Sequence, residues 1–245
     1  MADVALLQFL RSPYNEKARW ALAHHGVEHR RRSLLPGPHV LALRGTGQSQ
    51  TPVLVRGGHT IAGSGAIVRA LDEGSARPLV PRDAALLAEA SALEARFDDA
   101  LTPRMRVLVL HSLLEIPSAW VATFAEEESA ASRLFYRSVL TVAGPVIARK
   151  YGLSSQGAED GARAVREALD LVAERSRATG YLVGSSFGLA DLTAAASLAM
   201  VFGADHPDMT MPQPRPPRLV AVVAEHANHP GRAWLDAIYA KHRPR

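Results

Sequence analysis

The chain has 245 residues, 47% of them apolar and 21% charged, and it contains no cysteine. That length and apolar share suit a globular chain of one large or two ordinary domains with a sizeable buried core. The missing cysteines exclude disulfide staples, thiolate metal sites and any reaction that uses a protein thiol. A net charge of +4 and a pI of about 9.7 look basic, but the clusters Arg30–Arg32 and Lys241–Arg245 lack interleaved aromatics, so solvated surface explains them better than nucleic acid.

In chain order, the opening "MADVALLQFLRS" has no basic lead and no small-residue cleavage site, which argues against a signal peptide. Val4 to Phe9 is short, apolar and bounded by Ser and Pro, and predicts a buried strand. Ala18, Trp20, Ala21 and Leu22 then fall in a helical pattern that runs from about Pro13 to His25 and stops at Gly26. Val27 to Leu34 predicts an edge strand, and Pro36 to Arg44 a short helix before the loop "RGTGQSQ". A hairpin follows: Thr51 to Val55 alternates, Arg56 to His59 supply the turn, and Thr60 to Ala62 returns. "GSGAIVRALDE" predicts a helix with Ile67, Ala70 and Leu71 on one face.

Glycine and two prolines in "GSARPLVP" mark a linker over 76–81. Beyond it nearly everything predicts helix: Asp83 to Leu114 with a kink near Pro103, Ser118 to Tyr151 containing Pro145, Glu159 to Thr179, Leu189 to Phe202, and Arg218 to Arg243 broken at Pro230. The prolines of Ala204 to Pro217 forbid helix there. The apolar run Leu192 to Ala204 is interrupted by Thr193 and Ser197 and falls short of the roughly 18 residues of a membrane span. A cytoplasmic protein with no membrane partner is the expectation. An α/β unit over 1–75 thus precedes an all-helical domain over 82–245.

Several residue groups have a physical reading of their own. In "GLAD", the carboxylate of Asp191 can accept from the backbone N–H of Gly188 and complement the helix dipole, which is a structural role. "SPYN" suits a helix start, with Ser12 as cap and Pro13 in the first turn. A serine oxygen has two acceptor lone pairs and one donor hydrogen, so Ser12 can cap and still donate outward to an anion. Ser64 reads either as an N-cap or, with the amides of the following helix, as an anion site. Pro52 can simply begin a strand. His24, His25 and His29 point to different faces and suit surface or helix-end roles better than a metal site. Asp98, Asp99 and Glu126 to Glu128 read as solvated faces.

"SPYNEKARWAL", "TPVL", "GSGAIVRAL" and "GSSFGLADLTAA" occur in the order and at the places where the glutathione S-transferase superfamily carries its catalytic loop, cis-proline strand, Ser-x-Ala-Ile segment and second-domain helix start. The chain resembles that superfamily, in its serine-type branches, over most of its length. The resemblance implies an α/β plus all-α architecture, with an N-terminal thioredoxin-like domain (βαβαββα) followed by a C-terminal helical bundle. It implies a transferase that takes glutathione as co-substrate, with no metal, and acts on a small hydrophobic electrophile as a homodimer.

For the site, the resemblance implies a hydroxyl that holds the glutathione sulfur as a thiolate. Ser12 ranks first for that role, Asn15 second and Tyr14 third. It further implies a cis Thr51–Pro52 bond whose turn offers the Thr51 backbone to the cysteinyl unit, Gln50 beside it, and Ser64 against the γ-glutamyl carboxylate. Gly63 departs from the acidic residue usual before that serine, which removes a partner for the tripeptide's amine. Met105, Leu108, Val109 and His111 are possible pocket residues, a spacing that equally describes bundle core. Two rival readings stay open: a non-catalytic binding protein on the same scaffold, favoured by Gly63 and the proline-rich insertion, and a thiol-dependent isomerase or lyase.

Overall fold

A computed structural model describes residues 4–245. Strand β1 (Val4–Gln8) leads into helix α1 (Pro13–His24), followed by β2 (Arg30–Ser33), the short α2 (His39–Leu43), β3 (Val53–Arg56), β4 (His59–Ala62) and α3 (Ser64–Asp72). The four strands lie in the order β2-β1-β3-β4; β1 pairs parallel with β2 and antiparallel with β3, and β3 pairs antiparallel with β4. Leu6, Leu54, Trp20, Ile67 and Val68 bury the face between the sheet and α1 and α3. Leu7, Leu43 and Val53 form a smaller cluster under α2 on the other face.

The second part is helical: α4 (Ala84–Ala95), α5 (Thr102–Leu114), α6 (Pro117–Phe124), α7 (Ala130–Tyr151), α8 (Ser155–Arg175), α9 (Leu189–Phe202), α10 (Pro217–Glu225) and α11 (Pro230–His242). The kink expected near Pro103 is a stretch of π-helix, Arg96–Leu101, between α4 and α5. Proline has no N–H and its ring clashes with the carbonyl four residues back, so the turn before it widens. Ser118 to Tyr151 is not one helix but two, α6 and α7, parted at Ala125–Ser129. α5 and α8 approach closely because Gly161 has no side chain: a Cβ there would lie 2.5 Å from the Arg104 carbonyl oxygen. α9 is buried along its whole length.

Helix α1 is tied to the helical part by buried charge. Lys17 reaches Glu94 at 2.7 Å and Asp98 at 2.8 Å, so Asp98 is not on a solvated face as its sequence suggested. Glu16 is wholly buried and accepts from Arg243 at 2.8 Å and Arg19 at 2.9 Å, while Asp208 accepts from Arg243 at 2.7 Å. Burial pushes Asp208 up, but Arg19, Arg31 and Arg243 outweigh it and hold its carboxyl below the usual range. A C-terminal arginine thereby clamps the first helix of the chain.

Asp191 does what its spacing predicts. Its carboxylate accepts from the N–H of Gly188 at 3.0 Å, and also from that of Leu182 at 2.8 Å. Burial pushes its carboxyl up to about 6 despite these donors.

Candidate active site

Ser12 has extended backbone (φ −83°, ψ 134°), Pro13 follows in the first turn of α1, and the Glu16 N–H reaches the Ser12 carbonyl at 2.8 Å. The local sequence folds this way because proline's φ is already helical and its absent N–H is one that no helix start can satisfy. One detail departs from the capping expectation: the Ser12 hydroxyl makes no hydrogen bond to the first-turn amides. It lines a cavity of about 440 Å³ instead.

That cavity lies between the β1–α1 and β3 loops and the helical part. Phe9, Ser12, Tyr14, Gln50 and Thr51 form one wall; Val109 and Leu113 of α5, Trp120 and Phe124 of α6, and Tyr151 of α7 form the other. Pro212, Pro214 and Pro216 of the proline-rich segment close the third side. Arg106, Lys150 and Arg215 reach it, and among the described residues no carboxylate lines it. The walls are apolar and the charge is positive, so the space suits a ligand with apolar bulk and anionic groups.

The Thr51–Pro52 peptide is cis. The Pro52 carbonyl accepts from the Gly63 N–H at 3.0 Å, whereas the sheet pairing starts at Val53, so Thr51 stands outside the ladder at the cavity wall. Asn15 is fully buried; its Nδ2 donates to the Thr51 hydroxyl at 3.1 Å, and its Oδ1 has no partner among the described residues. This puts Asn15 behind Thr51, away from a ligand's sulfur. Tyr14 lines the cavity with its ring, but its hydroxyl donates to the Asp98 carbonyl at 2.9 Å. Burial, opposed by Arg106, pushes that phenol up to about 12. Of the three hydroxyl and amide candidates on this helix start, Ser12 alone is uncommitted.

Ser64 is not the N-cap of α3; it is the first helical residue, nearly buried, and Gly63 occupies the cap. Gly63 has φ +87°, a conformation that glycine adopts freely and an acidic side chain adopts only with strain. Pro52, Gly63 and Ser64 lie off the cavity lining. Of the four residues considered for the electrophile wall, Val109 lines the cavity, while Met105 and Leu108 are completely buried in the bundle.

No local pattern in the sequence singles out Arg11. It has φ +54°, the one non-glycine residue with positive φ among the described residues, and it precedes Ser12. Its guanidinium donates to the carbonyls of Thr210 and Thr123 at 2.8 Å and pairs with Glu126. Arg11 thus ties the loop bearing Ser12 to both other walls, and Glu126 pairs with it while remaining exposed, as the sequence suggested. Backbone held in a sparsely populated region, and held by many bonds, is common beside functional sites.

A βαβαββα unit with a cis-proline at the start of its third strand, joined to a helical bundle, defines a thioredoxin-like domain followed by a helical domain. The family pattern "Glutathione S-transferase, N-terminal domain" matches residues 6–78, and "Glutathione S-transferase, C-terminal domain" matches residues 143–223. The chain belongs to the glutathione S-transferase superfamily.

Solved structures share the fold at low identity. A glutathione S-transferase from Rhodospirillum rubrum F11 is 21% identical, with 97% of this chain and 88% of that one covered and a TM-score of 0.65. One from Methylobacillus flagellatus KT, with glutathione bound, is 17% identical, with 97% and 95% covered and a TM-score of 0.64. The β-etherase LigF from Sphingobium sp. strain SYK-6 is 18% identical, with 98% and 96% covered and a TM-score of 0.66. No curated protein matches the chain in sequence. Among the described residues there is no cluster of three or more metal-ligating side chains, and no single helix is long and apolar enough to cross a membrane.

Proposed function

We propose that the protein is a glutathione transferase: it binds glutathione with the sulfur at Ser12 and transfers it to a hydrophobic electrophile held against the α5, α6 and α7 wall. The observation that carries this reading is the Ser12 hydroxyl, free of capping bonds at the start of α1 and facing the cavity. In this reading Gln50 and the Thr51 backbone, which line the cavity, meet the cysteinyl unit, and the bond from Asn15 to the Thr51 hydroxyl supports it. The γ-glutamyl carboxylate falls by resemblance to Ser64 and the amides at the start of α3, although Ser64 itself is nearly buried and off the cavity lining. Arg106, Lys150 and Arg215 complement a ligand that carries two carboxylates and a thiolate. Gly63 supplies no charge for the tripeptide's amine, so glutathione is held more weakly at that end.

The chemistry asks little of the protein. A free thiol titrates near 8.5, and lowering it by ~2 units needs about 2.7 kcal/mol of preference for the anion. A charge-assisted hydrogen bond supplies roughly 1.5–3 kcal/mol and the helix terminus ~0.5–1. Ser12 keeps its proton and donates a hydrogen bond to a nucleophile that the substrate brings, so no histidine base and no metal is called for. Assembly as a homodimer in the cytoplasm belongs to the same reading.

The test combines retention on immobilised glutathione with turnover over a panel of aromatic electrophiles. The reading predicts retention and conjugation, and a fall in kcat of roughly 10²-fold or more in Ser12→Ala. Retention without turnover supports a binding protein instead, and cleavage or isomerisation without a conjugate as final product supports the lyase or isomerase alternative. Conjugation unchanged in Ser12→Ala removes the assigned role.

A further inference from the structure

Arginines drawn out of water in this chain meet carboxylates: Arg11 pairs with Glu126, Arg104 with Asp160 and Glu167, Arg232 with Asp236, and Arg19 and Arg243 with Glu16 and Asp208. Among the described residues, the half-buried Arg106, Arg215 and Arg218 pair with none. Arg106 and Arg215 line the cavity, as does the exposed Lys150. A charge taken from water without a counter-charge is costly, and in a cleft it marks a place where a ligand brings the opposite sign. Arg215 has a structural account in part, because it donates to the Val201 and Phe202 carbonyls at the end of α9. Arg106 has none: among the described residues its guanidinium makes neither an ion pair nor a hydrogen bond.

Glutathione, bound as proposed above, does not use up this charge. Its γ-glutamyl carboxylate is assigned to Ser64, off the cavity lining, and its thiolate becomes a neutral thioether on transfer. One glycyl carboxylate then faces three unpaired cations. Part of the surplus stands on the wall assigned to the electrophile. Arg106, Val109, Leu110 and Leu113 share one face of α5 by their spacing, and all four line the cavity. The row sets a cation at one end and about 10 Å of apolar wall beyond it. The charged end lies by the first turn of α1, where Arg106 is close enough to Tyr14 to oppose the rise of its phenol.

We propose that the second substrate is an apolar acid, whose anionic group is held by Arg106 while its apolar body lies along Val109 and Leu113. The inference names the substrate class of the transferase reading and rests on that reading. Arg106 is then the residue that separates acids from equally apolar neutral electrophiles.

Calorimetric titration of the full chain with 4-chloro-3-nitrobenzoate and with the neutral 4-chloro-3-nitrobenzamide tests it. Excess S-methylglutathione is present, whose blocked sulfur forms no conjugate. The wild type is expected to bind the acid roughly tenfold or more tightly than the amide, and Arg106→Met to erase most of that preference. Equal affinities in the wild type overturn the proposal, as does a preference that Arg106→Met leaves intact. A preference seen only without S-methylglutathione also overturns it, because the cations then serve the tripeptide. The wild-type comparison needs no variant, so it carries the test if Arg106→Met fails to fold. Transfer is read separately, with glutathione itself and the release of chloride: the sulfur bonds to the ring carbon that bears chlorine, and chloride leaves with the bonding pair. An Arg106-dependent preference for the acid with no chloride released supports the acid site and overturns the transferase reading alone.

Discussion

Glu16→Gln tests the buried charge that holds α1 in place. Glu16 Oε1 accepts from Arg243 Nε at 2.8 Å and the Tyr239 hydroxyl at 3.3 Å, and Oε2 accepts from Arg19 Nε at 2.9 Å. The glutamine amide has nearly the same shape, but it removes the charge and turns a donor toward a guanidinium. The side chains of Arg19 and Arg243, both about 1% exposed, would then have Asp208 as their one carboxylate, which they share with Arg31. Breaking a buried pair from one side costs about 3–5 kcal/mol. In a chain of this length that corresponds to a fall in Tm of roughly 10 °C. The assay is urea unfolding followed by circular dichroism, with Glu16→Gln/Arg243→Met as the companion. The double variant is expected to lie closer to wild type than the single, because it removes the orphaned cation too. A Glu16→Gln protein within about 1 kcal/mol of wild type, or strict additivity in the double, refutes the reasoning.

Two further predictions concern the helical part. Asp191 has its folded carboxyl raised to about 6; a raised acid means that the folded state holds its proton longer than the unfolded chain. Its contribution is therefore fully present below about pH 4 and is lost as pH rises through about 6, up to about 3 kcal/mol for a shift of this size. Urea midpoints of wild type and Asp191→Asn across that window check it: the wild type is expected to lose stability with rising pH, and the variant to lose that slope. Gly161→Ala places a Cβ 2.5 Å from the Arg104 carbonyl and is expected to cost about 1–3 kcal/mol by prising α8 from α5, read as a lowered Tm.

Most of the architecture was legible because its signals are local. Alternation with a glycine turn marks the β3–β4 hairpin, proline and glycine mark the start and end of α1, and "GLAD" marks the start of α9. Ser12, Thr51 and Pro52 were legible for the same reason: each belongs to a short motif tied to a backbone feature. What stayed hidden depends on distant partners. Nothing adjacent to Arg11 in sequence announces that its guanidinium will bridge Thr123, Glu126 and Thr210. Asp98 looks like half of an exposed acidic pair until Lys17 is folded onto it. The prolines of 212–216 forbid helix, but only the tertiary fold brings them to the cavity. The role of Asn15 shifted because a residue three after a cap is exposed in an isolated helix, whereas here Thr51 packs over it.

The most direct measurement is an ultraviolet titration of the thiolate of glutathione bound to the wild type and to Ser12→Ala. If the Ser12 hydroxyl stabilises the anion, the bound thiol titrates about 2 units below the free value near 8.5 and moves back by more than half of that in the variant. A bound thiol that titrates at its free value in the wild type, or a depressed value that Ser12→Ala leaves unchanged, contradicts the account.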